Sequence, residues 1–510
     1  MTATAPSISD PTRSFLSREH GLFIDGRWVG AGTSKRLSVL NPATGDTVAI
    51  IHEASATDVD RAVKAARRAL EGEWSQIGAQ ARGELLHRLA NLIERDAQRL
   101  AELETLENGM PLSLSLSTLR SFCVPFIRYY AGWPTKIVGD TLPVRPSWGP
   151  PGDWLIYTLR EPIGVVAAII PWNAPCAMMV LKLAPALAAG CTLVLKPAEL
   201  TPLAATRIVQ LAEEAGFPRG VVNLVQGVGE SVGRALVRHP EVNKIAFTGS
   251  TEVGKAIVRE AANDLKRVTL ELGGKSPFVV FPDADLDEAA PAAAMACFMF
   301  AGQACMAGTR LFVADPIYDR FVAKVVDFSA QLKLGDGFDP LTTIGPLISA
   351  AQRSRVQGFV DRAKRQGITV ACGGSAVGDQ GFFYSPTVCV GVEPDTELAQ
   401  TEVFGPVMAA MRFDTDDEAA LVRAINSTPY GLAGSVWTQN LSRAHRLAAR
   451  IDSGQVGVNF HAAISPETPF GGNKQSGWGR EYGSEGLDAY LKTKAVSVRI
   501  VGPAPAAARG

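Results

Sequence analysis

The chain of 510 residues is long enough for two or three domains with large buried cores. Its 50 basic and 51 acidic side chains leave a formal net charge of -1, so no basic surplus points to nucleic acid or to an anionic membrane as a partner. Six histidines and seven scattered cysteines form no CxxC pair and no clustered ligand set, from which we expect reduced thiols, a cytoplasmic location and no metal site.

The two ends of the chain have the composition of loose tails. Residues 1–20 have neither a basic start nor an apolar stretch, which argues against a targeting segment, and residues 501–510 are rich in Ala, Pro and Gly. Apolar residues first recur at helical spacing in residues 57–70 and 81–109, where Gly109 supplies a stop signal. These patterns predict two helices ahead of the first clear strand.

Five short apolar runs then alternate with helical stretches, which predicts parallel βαβ units in a doubly wound domain of the dinucleotide-binding type. Their continuous apolar character predicts a sheet that is covered on both faces. The runs are residues 163–172, 192–199, 221–227, 244–250 and 267–274. The rhythm repeats after Gly274, which predicts a second α/β domain beginning near Glu271.

Three further segments have a different character. Thr141–Arg160 and Asp488–Ile500 alternate like strands but fit neither predicted core. Ala289–Thr309 is uncharged and nearly as long as a membrane span, yet it contains Pro291 and Gln303 and lacks aromatic or basic flanks. We therefore predict that it is a buried helix running into a loop, and we predict no membrane partner.

Two glycine-containing turns allow competing interpretations. Gly249–Lys255 nearly matches a P-loop, but Ala256 stands where a Ser or Thr would bind magnesium, so we keep only an anion-binding turn at a helix start. Gly229–Gly233 matches the GxSxG motif of serine hydrolases, with Ser231 as the nucleophile. Read from Gly227, the same stretch is a dinucleotide fingerprint with one residue too many.

Glu271 and Cys305 are single residues whose patterns also fit roles outside catalysis: a solvated strand face for Glu271, and a small apolar residue in a packed core for Cys305. Glu271 shares a strand face with Thr269 and precedes a Gly-Gly turn, at the strand end where α/β sheets bind ligands. Cys305 lies among small residues that would leave a thiolate accessible.

Seven motifs together resemble the NAD(P)-dependent aldehyde dehydrogenase superfamily, in family order and from about residue 21 to about residue 500. They are IIPWNAP (169–175), LKPAE (195–199), FTGSTEVG (247–254), LELGGKSP (270–277), GQACMAG (302–308), EVFGPV (402–407) and PFGGNKQSGWGRE (469–481). The resemblance implies an α/β protein with a Rossmann-type cofactor domain, an α/β catalytic domain and a small β oligomerisation arm. The implied boundaries are 21–138 and 161–270 for the cofactor domain, 271–478 for the catalytic domain, and 139–160 and 479–500 for the arm.

The resemblance also implies four catalytic residues. Cys305 would attack the aldehyde, and the Asn173 amide with the Cys305 backbone N–H would hold the resulting oxyanion. Glu271 would activate water to hydrolyse the thioester, a step that the CoA-acylating branch of the family does not use. Lys182 would assist in proton relay.

The implied cofactor is NAD rather than NADP, because the Glu199 carboxylate would repel a 2′-phosphate, although Lys196 would offset part of that repulsion. The full implied set is Ile169, Pro171, Trp172, Lys196, Ala198, Glu199, Gly229, Gly233, Phe247, Gly249, Ser250, Gly254, Leu272, Gly273, Glu402 and Phe404.

The implied substrate positions are small or apolar, so we expect a bulky hydrophobic aldehyde: an aromatic, terpenoid or medium- to long-chain one. They are Ala174, Met178, Leu181, Met306, Ile464 and Phe470. The alternative is a semialdehyde, whose carboxylate would need a cationic partner. The resemblance further implies self-association as a homodimer or homotetramer.

Overall fold

The protein is described by a computed structural model that covers residues 8–501. Its α-helices are α1 Asp10–Leu16, α2 Ala56–Glu71, α3 Glu73–Gln76, α4 Ala79–Arg95, α5 Ala97–Asn108, α6 Leu112–Thr118, α7 Val124–Ala131, α8 Pro175–Ala189, α9 Leu203–Ala215, α10 Arg234–Arg238, α11 Thr251–Ala261, α12 Leu286–Phe298, α13 Tyr318–Gln331, α14 Ala350–Arg365, α15 Glu397–Gln400, α16 Glu418–Asn426, α17 Leu441–Arg450 and α18 Gly483–Asp488. Its strands are β1 Leu22–Ile24, β2 Arg27–Val29, β3 Arg36–Leu40, β4 Thr47–His52, β5 Thr141–Leu142, β6 Asp153–Pro162, β7 Val165–Ile169, β8 Thr192–Lys196, β9 Val222–Leu224, β10 Lys244–Thr248, β11 Arg267–Glu271, β12 Pro277–Val280, β13 Arg310–Ala314, β14 Thr369–Cys372, β15 Thr387–Val390, β16 Val407–Phe413, β17 Tyr430–Gly431, β18 Ala433–Trp437, β19 Gln455–Val458, β20 Asn473–Lys474, β21 Gly477–Trp478 and β22 Leu491–Ile500.

The first α/β unit is built on an eight-stranded sheet with the order β2-β1-β9-β8-β7-β10-β11-β21. The strands from β9 to β11 in this order run parallel, and each comes from one of the five predicted apolar runs. Every residue of β7, β8 and β10 is buried, because helices cover the sheet on both faces. The doubly wound dinucleotide-type architecture is therefore confirmed.

The second α/β unit is built on a seven-stranded sheet with the order β14-β15-β16-β13-β12-β18-β19. Its core is a separate apolar cluster that includes Phe278, Phe312 and Met411. The uncharged segment Ala289–Thr309 supplies most of α12 and the loop that follows it. Among residues 8–501, no helix is both long and apolar enough to cross a membrane.

A third, small sheet with the order β22-β6-β5 lies outside both cores. Strands β6 and β22 pair antiparallel over ten residues each, with Val498 opposite Leu155 and Ile500 opposite Asp153. Most residues of β22 are exposed. This sheet combines the two strand-like segments that fitted neither predicted core.

The N-terminal region differs from the sequence-based prediction. The segment expected to be a loose tail contains helix α1, whose Phe15 is buried, and four strands precede the two predicted helices. The second predicted helix is divided at Asp96 into α4 and α5. Residues 1–7 and 502–510 of the predicted tails lie outside the described part of the chain.

The C-terminal segment also departs from the expected boundary, since only part of residues 479–500 joins the arm. Residues 491–500 form β22, but Tyr482, Leu487 and Tyr490 lie in the core of the first unit. Just before them, β21 pairs with β11 at the edge of the first sheet. The chain therefore returns from the second unit to the first before it enters the arm.

Candidate active site

A cleft of about 470 Å³ lies at the carboxyl ends of β7, β10 and β11, against the loop of the second unit that contains Cys305. Eleven residues that the sequence analysis predicted for the site line this one cleft. They are Pro171, Trp172, Asn173, Met178, Gly249, Ser250, Leu272, Gly273, Cys305, Glu402 and Phe404. The location agrees with the rule that open α/β sheets bind ligands beyond their strand C-termini.

The Cys305 thiol lies at the base of this cleft, after α12. Burial raises its pKa to about 12, and the nearby Glu402 and Glu271 carboxyl groups add to the shift. A Cβ on Gly274 would come within 2.1 Å of the Cys305 carbonyl oxygen, so only glycine lets the two backbones pack this closely. The thiol is consequently protonated at rest and must lose its proton before it can attack a carbonyl carbon.

The Asn173 amide is held beside this loop from both sides. Its Nδ2 donates a hydrogen bond to the Gln303 carbonyl oxygen at 3.0 Å, which uses one of its two N–H groups. Asn108, at the end of α5, donates from Nδ2 to the carbonyl oxygen of Trp172 at 2.8 Å and so fixes the turn that contains Asn173. The second amide N–H of Asn173 makes no bond among the described residues.

Glu271 is the last residue of β11, and only 4% of its surface is exposed. Neither carboxylate oxygen has a hydrogen-bond partner among residues 8–501. Burial raises the pKa of Glu271 well above its usual range, and the charge of Glu481 raises it further. Glu271 therefore does not lie on a solvated strand face.

Lys182 is fully buried on α8 and forms an ion pair with Glu481. Glu481 belongs to the returning C-terminal segment, and its charge acts on Glu271 together with that of Lys182. The sequence analysis included Lys182 but missed Glu481, because nothing in the local pattern of residues 469–481 indicates which lysine it would meet.

At the end of the cleft that was predicted to bind the cofactor, the turn after β10 leads into the start of α11. The Ser250 hydroxyl accepts a weak hydrogen bond from the Val253 N–H at 3.4 Å and caps α11, whose first free N–H groups face the cleft end. A Cβ on Gly254 would come within 2.6 Å of the Leu272 side chain, so this glycine lets α11 pack closely on the neighbouring turn.

Glu402 and Phe404 form the opposite wall. The buried Glu402 carboxylate accepts the Gly274 N–H at 2.9 Å, and burial raises its pKa to about 7. The Phe404 ring meets Trp172 edge to face at a centroid distance of 5.2 Å.

The Gln352 side-chain amide donates to the Phe404 carbonyl oxygen at 2.7 Å, and Arg355 donates to the Glu402 carbonyl oxygen at 2.9 Å. Gln352 and Arg355 were not predicted, because a side chain that holds a distant backbone carbonyl has no local sequence pattern.

The remaining predicted cofactor residues do not line this cleft. Lys196, at the end of β8, is buried with its Nζ 3.6 Å from a Glu199 carboxylate oxygen, and its pKa is lowered by burial. A Cβ on Gly233 would lie 3.7 Å from the Lys196 side chain. The other members of this group are Ile169, Ala198, Gly229, Phe247 and Gly254.

Ser231 is not arranged as a hydrolase nucleophile. It lies in a π-helical turn over Gly229–Gly233, and its hydroxyl donates to a Glu53 carboxylate oxygen at 2.5 Å. His239 contacts Asp60 instead, and His461 lies between Ser435 and the Met306 carbonyl oxygen. Within residues 8–501, no histidine hydrogen-bonds Ser231, so the general base of a serine hydrolase is missing there.

The six predicted substrate residues belong to, or pack against, the same apolar core cluster as Cys305. Met178 lines the cleft itself, whereas Met306 lines a neighbouring cavity of about 270 Å³. Phe470 is buried, with its ring centroid 5.4 Å from that of Tyr482. Leu181 is also buried, and Ala174 and Ile464 are partly buried against the first core. No group of three or more His, Cys, Asp or Glu in the described part of the chain could hold a metal ion.

Comparisons with known proteins agree on one family. A sequence model of the aldehyde dehydrogenase family matches residues 28–496. Human mitochondrial aldehyde dehydrogenase is 44% identical over 502 residues, covering 98% of this chain and 95% of that protein. Human retinaldehyde dehydrogenase 3 is 43% identical over 499 residues, covering 97% and 96%. The structure of a Bacillus cereus aldehyde dehydrogenase in complex with NAD+ matches with a TM-score of 0.94 and 44% identity, covering 98% of this chain and 100% of that one. The chain belongs to the aldehyde dehydrogenase family.

Membership in the aldehyde dehydrogenase family confirms the resemblance carried by the seven motifs and the predicted fold class. It also confirms that the protein is an oxidoreductase acting on aldehydes, with a carboxylic acid as product. The serine hydrolase interpretation of Gly229–Gly233 is not favoured.

Relative to the wild type, the Glu271→Gln variant should become more stable as pH rises, because only the wild type has the unpartnered carboxyl group. A carboxyl group whose pKa is raised on folding binds a proton more tightly in the folded state, so its stabilising contribution is lost as pH increases through the folded pKa. Glutamine has the same shape and no such loss. We expect the difference in Tm between Glu271→Gln and wild type to grow by about 1–3 °C between pH 6 and pH 9, measured by differential scanning fluorimetry.

Glu481→Gln is the matched control. It leaves the buried Lys182 ammonium without its carboxylate and should lower Tm. A Tm difference for Glu271→Gln that stays constant from pH 6 to pH 9 would show that the carboxyl group does not titrate as its surroundings indicate.

Proposed function

We propose that the protein oxidises an aldehyde to the carboxylic acid with NAD, through a covalent thioester on Cys305 that Glu271 helps to hydrolyse. The observation that carries the proposal is that Cys305 and Asn173 line one cleft, while the unpartnered carboxyl group of Glu271 stands next in sequence to the cleft residue Leu272 and its charge acts on the Cys305 thiol. These are the nucleophile, oxyanion donor and base that acyl chemistry on an aldehyde needs.

The residues at the other end of the cleft fit NAD. The capped start of α11 offers free backbone N–H groups to a pyrophosphate, and the buried hydroxyl of Thr248, which also lines the cleft, has no partner. The 44% identical Bacillus cereus structure was determined in complex with NAD+. When bound, NAD supplies the hydride acceptor. The Glu199 carboxylate beside Lys196 supports a preference for NAD over NADP.

The first half of the reaction begins when the Glu271 carboxylate accepts the Cys305 proton, directly or through a water molecule. Once deprotonated, the sulfur attacks the aldehyde carbon, and the carbonyl π electrons move to the oxygen. The free N–H of Asn173 and the backbone N–H of Cys305 hold that negative charge, each worth about 3 kcal/mol in such sites. Loss of hydride from this adduct leaves a thioester on Cys305.

In the second half, Glu271 accepts a proton from the water that attacks the thioester carbon. The carbon–sulfur bond then breaks, the acid leaves, and the Cys305 sulfur regains a proton. The Lys182–Glu481 pair lies next to Glu271 and is buried, which supports a role in passing the accepted proton onward. A carboxyl group without partners suits this task, since no hydrogen bond must break before it titrates.

The cavity beside Met306 supports a hydrophobic aldehyde as the substrate. Its walls are side chains of Ala, Met, Phe, Trp and His only, so no charged group faces it. The one histidine, His461, has a pKa lowered by burial, and both of its ring nitrogens are already engaged. A semialdehyde carboxylate would find no cation there, whereas an aromatic or long aliphatic group would bury apolar surface.

The arm supports self-association. Four exposed apolar side chains, Leu155, Leu159, Val498 and Ile500, share one face of the β6–β22 pair. Strand β22 is also an edge strand of its sheet. A second copy of the chain would cover both the apolar face and the open edge.

Substitution of Cys305 tests the central proposal. Cys305→Ser should lower kcat for benzaldehyde oxidation by at least about 1000-fold, because a serine hydroxyl is far less acidic and less nucleophilic than the thiol. The measurement is NADH absorbance, with Cys372→Ser as a control that should retain activity.

In Glu271→Gln, intact mass spectrometry should detect an adduct equal to the aldehyde less two hydrogens. Ester hydrolysis that survives in Cys305→Ser but disappears in Ser231→Ala would instead restore the hydrolase interpretation.

Filling the cavity beside Met306 tests the substrate class. Ala292→Phe should lower kcat/KM for decanal by about tenfold and leave acetaldehyde within about twofold, because only the longer chain needs the cavity. Ala292→Ser is the matched control of similar size. In the wild type, decanal or benzaldehyde should exceed succinic semialdehyde in kcat/KM; the reverse order would contradict a hydrophobic substrate.

Analytical ultracentrifugation tests the arm. The wild type should sediment at two or four times the chain mass of 54.1 kDa at micromolar concentration. The double substitution Leu155→Asp with Leu159→Asp should shift it to a smaller species, whereas Leu341→Asp, at a site that is 69% exposed outside the arm, should not. A monomeric wild type would rule out assembly through this sheet.

A further inference from the structure

A second large cleft, of about 690 Å³, lies on the outer side of the first unit and shares no residue with the active-site cleft. Helix α1, the start of β1, strand β2 and helices α5 and α9 form its walls. Its size is that of a site for a small organic ligand.

Three guanidinium groups, Arg18, Arg99 and Arg207, line the cleft. Arg207 is paired with Asp96 at 2.6 Å, but neither Arg18 nor Arg99 has a carboxylate within 4.0 Å among residues 8–501. The pKa of Arg99 is lowered by burial and then by the positive charges of Arg207 and Arg18. Asp96 and Glu102 offset part of this repulsion, but neither forms an ion pair with Arg18 or Arg99.

The acidic residues of the cleft wall are already engaged elsewhere. Glu19 contacts Arg36 at 3.3 Å and His52 at 2.9 Å, and Glu213 accepts the Trp28 indole N–H at 3.1 Å. They do not neutralise Arg18 or Arg99. An anion that entered the cleft would be the counter-charge that these two residues lack.

Flat rings complete the walls. The indole of Trp28 is 36% exposed and is held by its bond to Glu213. Phe15 stacks on His20 at a centroid distance of 4.2 Å, and the Arg99 guanidinium lies over the Phe15 ring at 5.2 Å. Arg99 is thus fixed in place before any ligand arrives, and Trp28 offers a rigid surface for a planar group.

We propose that this cleft binds a small organic phosphate with a planar ring, its phosphate between Arg18 and Arg99 and its ring against Trp28. A phosphate monoester carries close to two negative charges at neutral pH, which matches the two unpaired guanidinium groups, and its oxygens suit their forked N–H groups. The site is independent of the dehydrogenase reaction, since none of its residues belongs to the catalytic or cofactor cleft.

Isothermal titration calorimetry with phenyl phosphate tests the proposal. The full-length protein is first saturated with NAD, which blocks the cofactor cleft. We expect one site per chain, with binding weakened about tenfold or more in Arg18→Gln and in Arg99→Gln. Arg423→Gln, on an exposed face of α16 in the other unit, should bind as the wild type does. Inorganic phosphate should bind more weakly than phenyl phosphate, and Trp28→Ala should remove that difference.

Several results would overturn the site. Equal affinity in wild type, Arg18→Gln and Arg99→Gln would do so, and so would no measurable binding at millimolar phenyl phosphate. Binding of phenyl phosphate that is seen without NAD but not in the NAD-saturated protein would assign the ligand to the cofactor cleft. Because Arg99 packs on Phe15, its variant is first checked for an unchanged Tm; the exposed Arg18 variant decides the outcome if Arg99→Gln unfolds.

Discussion

The antiparallel pairing of β21 with β11 is the contact on which the active site depends. It sets Gly477 opposite Glu271 and Trp478 opposite Leu270, at the edge of the first sheet. A Cβ at Gly477, whose φ is 134°, would come within 2.0 Å of the Leu270 carbonyl oxygen, so only glycine allows this approach. Ser476 reinforces the contact by donating to the Gly273 carbonyl oxygen at 2.6 Å and accepting the Gly431 N–H at 2.9 Å. The two α/β units are thereby fastened together at the strand end that carries Glu271.

The same pairing explains how two buried charges are tolerated near the buried Glu271 carboxyl group. Removing one partner from a buried ion pair typically costs about 3–5 kcal/mol, because the other charge stays desolvated. The returning segment supplies Glu481 to Lys182, so this cost is avoided on α8. Glu271 receives no such partner, and its pKa rises instead. The returning segment therefore gives Lys182 a carboxylate partner and leaves Glu271 without a hydrogen-bond partner among residues 8–501.

How much could be predicted from the sequence follows from the range of each interaction. The strands β7 to β11 were predictable because buried parallel strands are continuous apolar runs. That Cys305 and Asn173 would meet at one cleft was predictable because both stand in motifs of fixed order. Helix α1 was missed because its stability comes from contacts across the chain, such as the Thr12 hydroxyl donating to Glu102. Glu481, Gln352 and Arg355 were missed for the same reason: each acts on a residue at least 40 positions away, and no local period records such a partner.

Hydrogen bonds on both sides of Cys305 hold the loop that carries it. Gln303 is fixed at its carbonyl oxygen by Asn173 and at its side chain by the Ile348 N–H, at 3.0 and 2.9 Å. On the other side of Cys305, His461 donates from Nε2 to the Met306 carbonyl oxygen at 2.8 Å, and this requires that its Nδ1 accept the Ser435 hydroxyl at 2.9 Å. Phe300 and Ala301 just before the loop adopt positive φ values of 57° and 54°, a strained conformation that persists only where surrounding contacts enforce it. In the proposed reaction, mobility of the Cys305 sulfur would be a disadvantage, because the sulfur must meet both the proposed base and the proposed oxyanion donors while it is deprotonated. The hydrogen bonds on both sides of Cys305 fix the position of the sulfur when the protein folds. The free-energy cost of ordering the loop therefore arises during folding and not during the reaction.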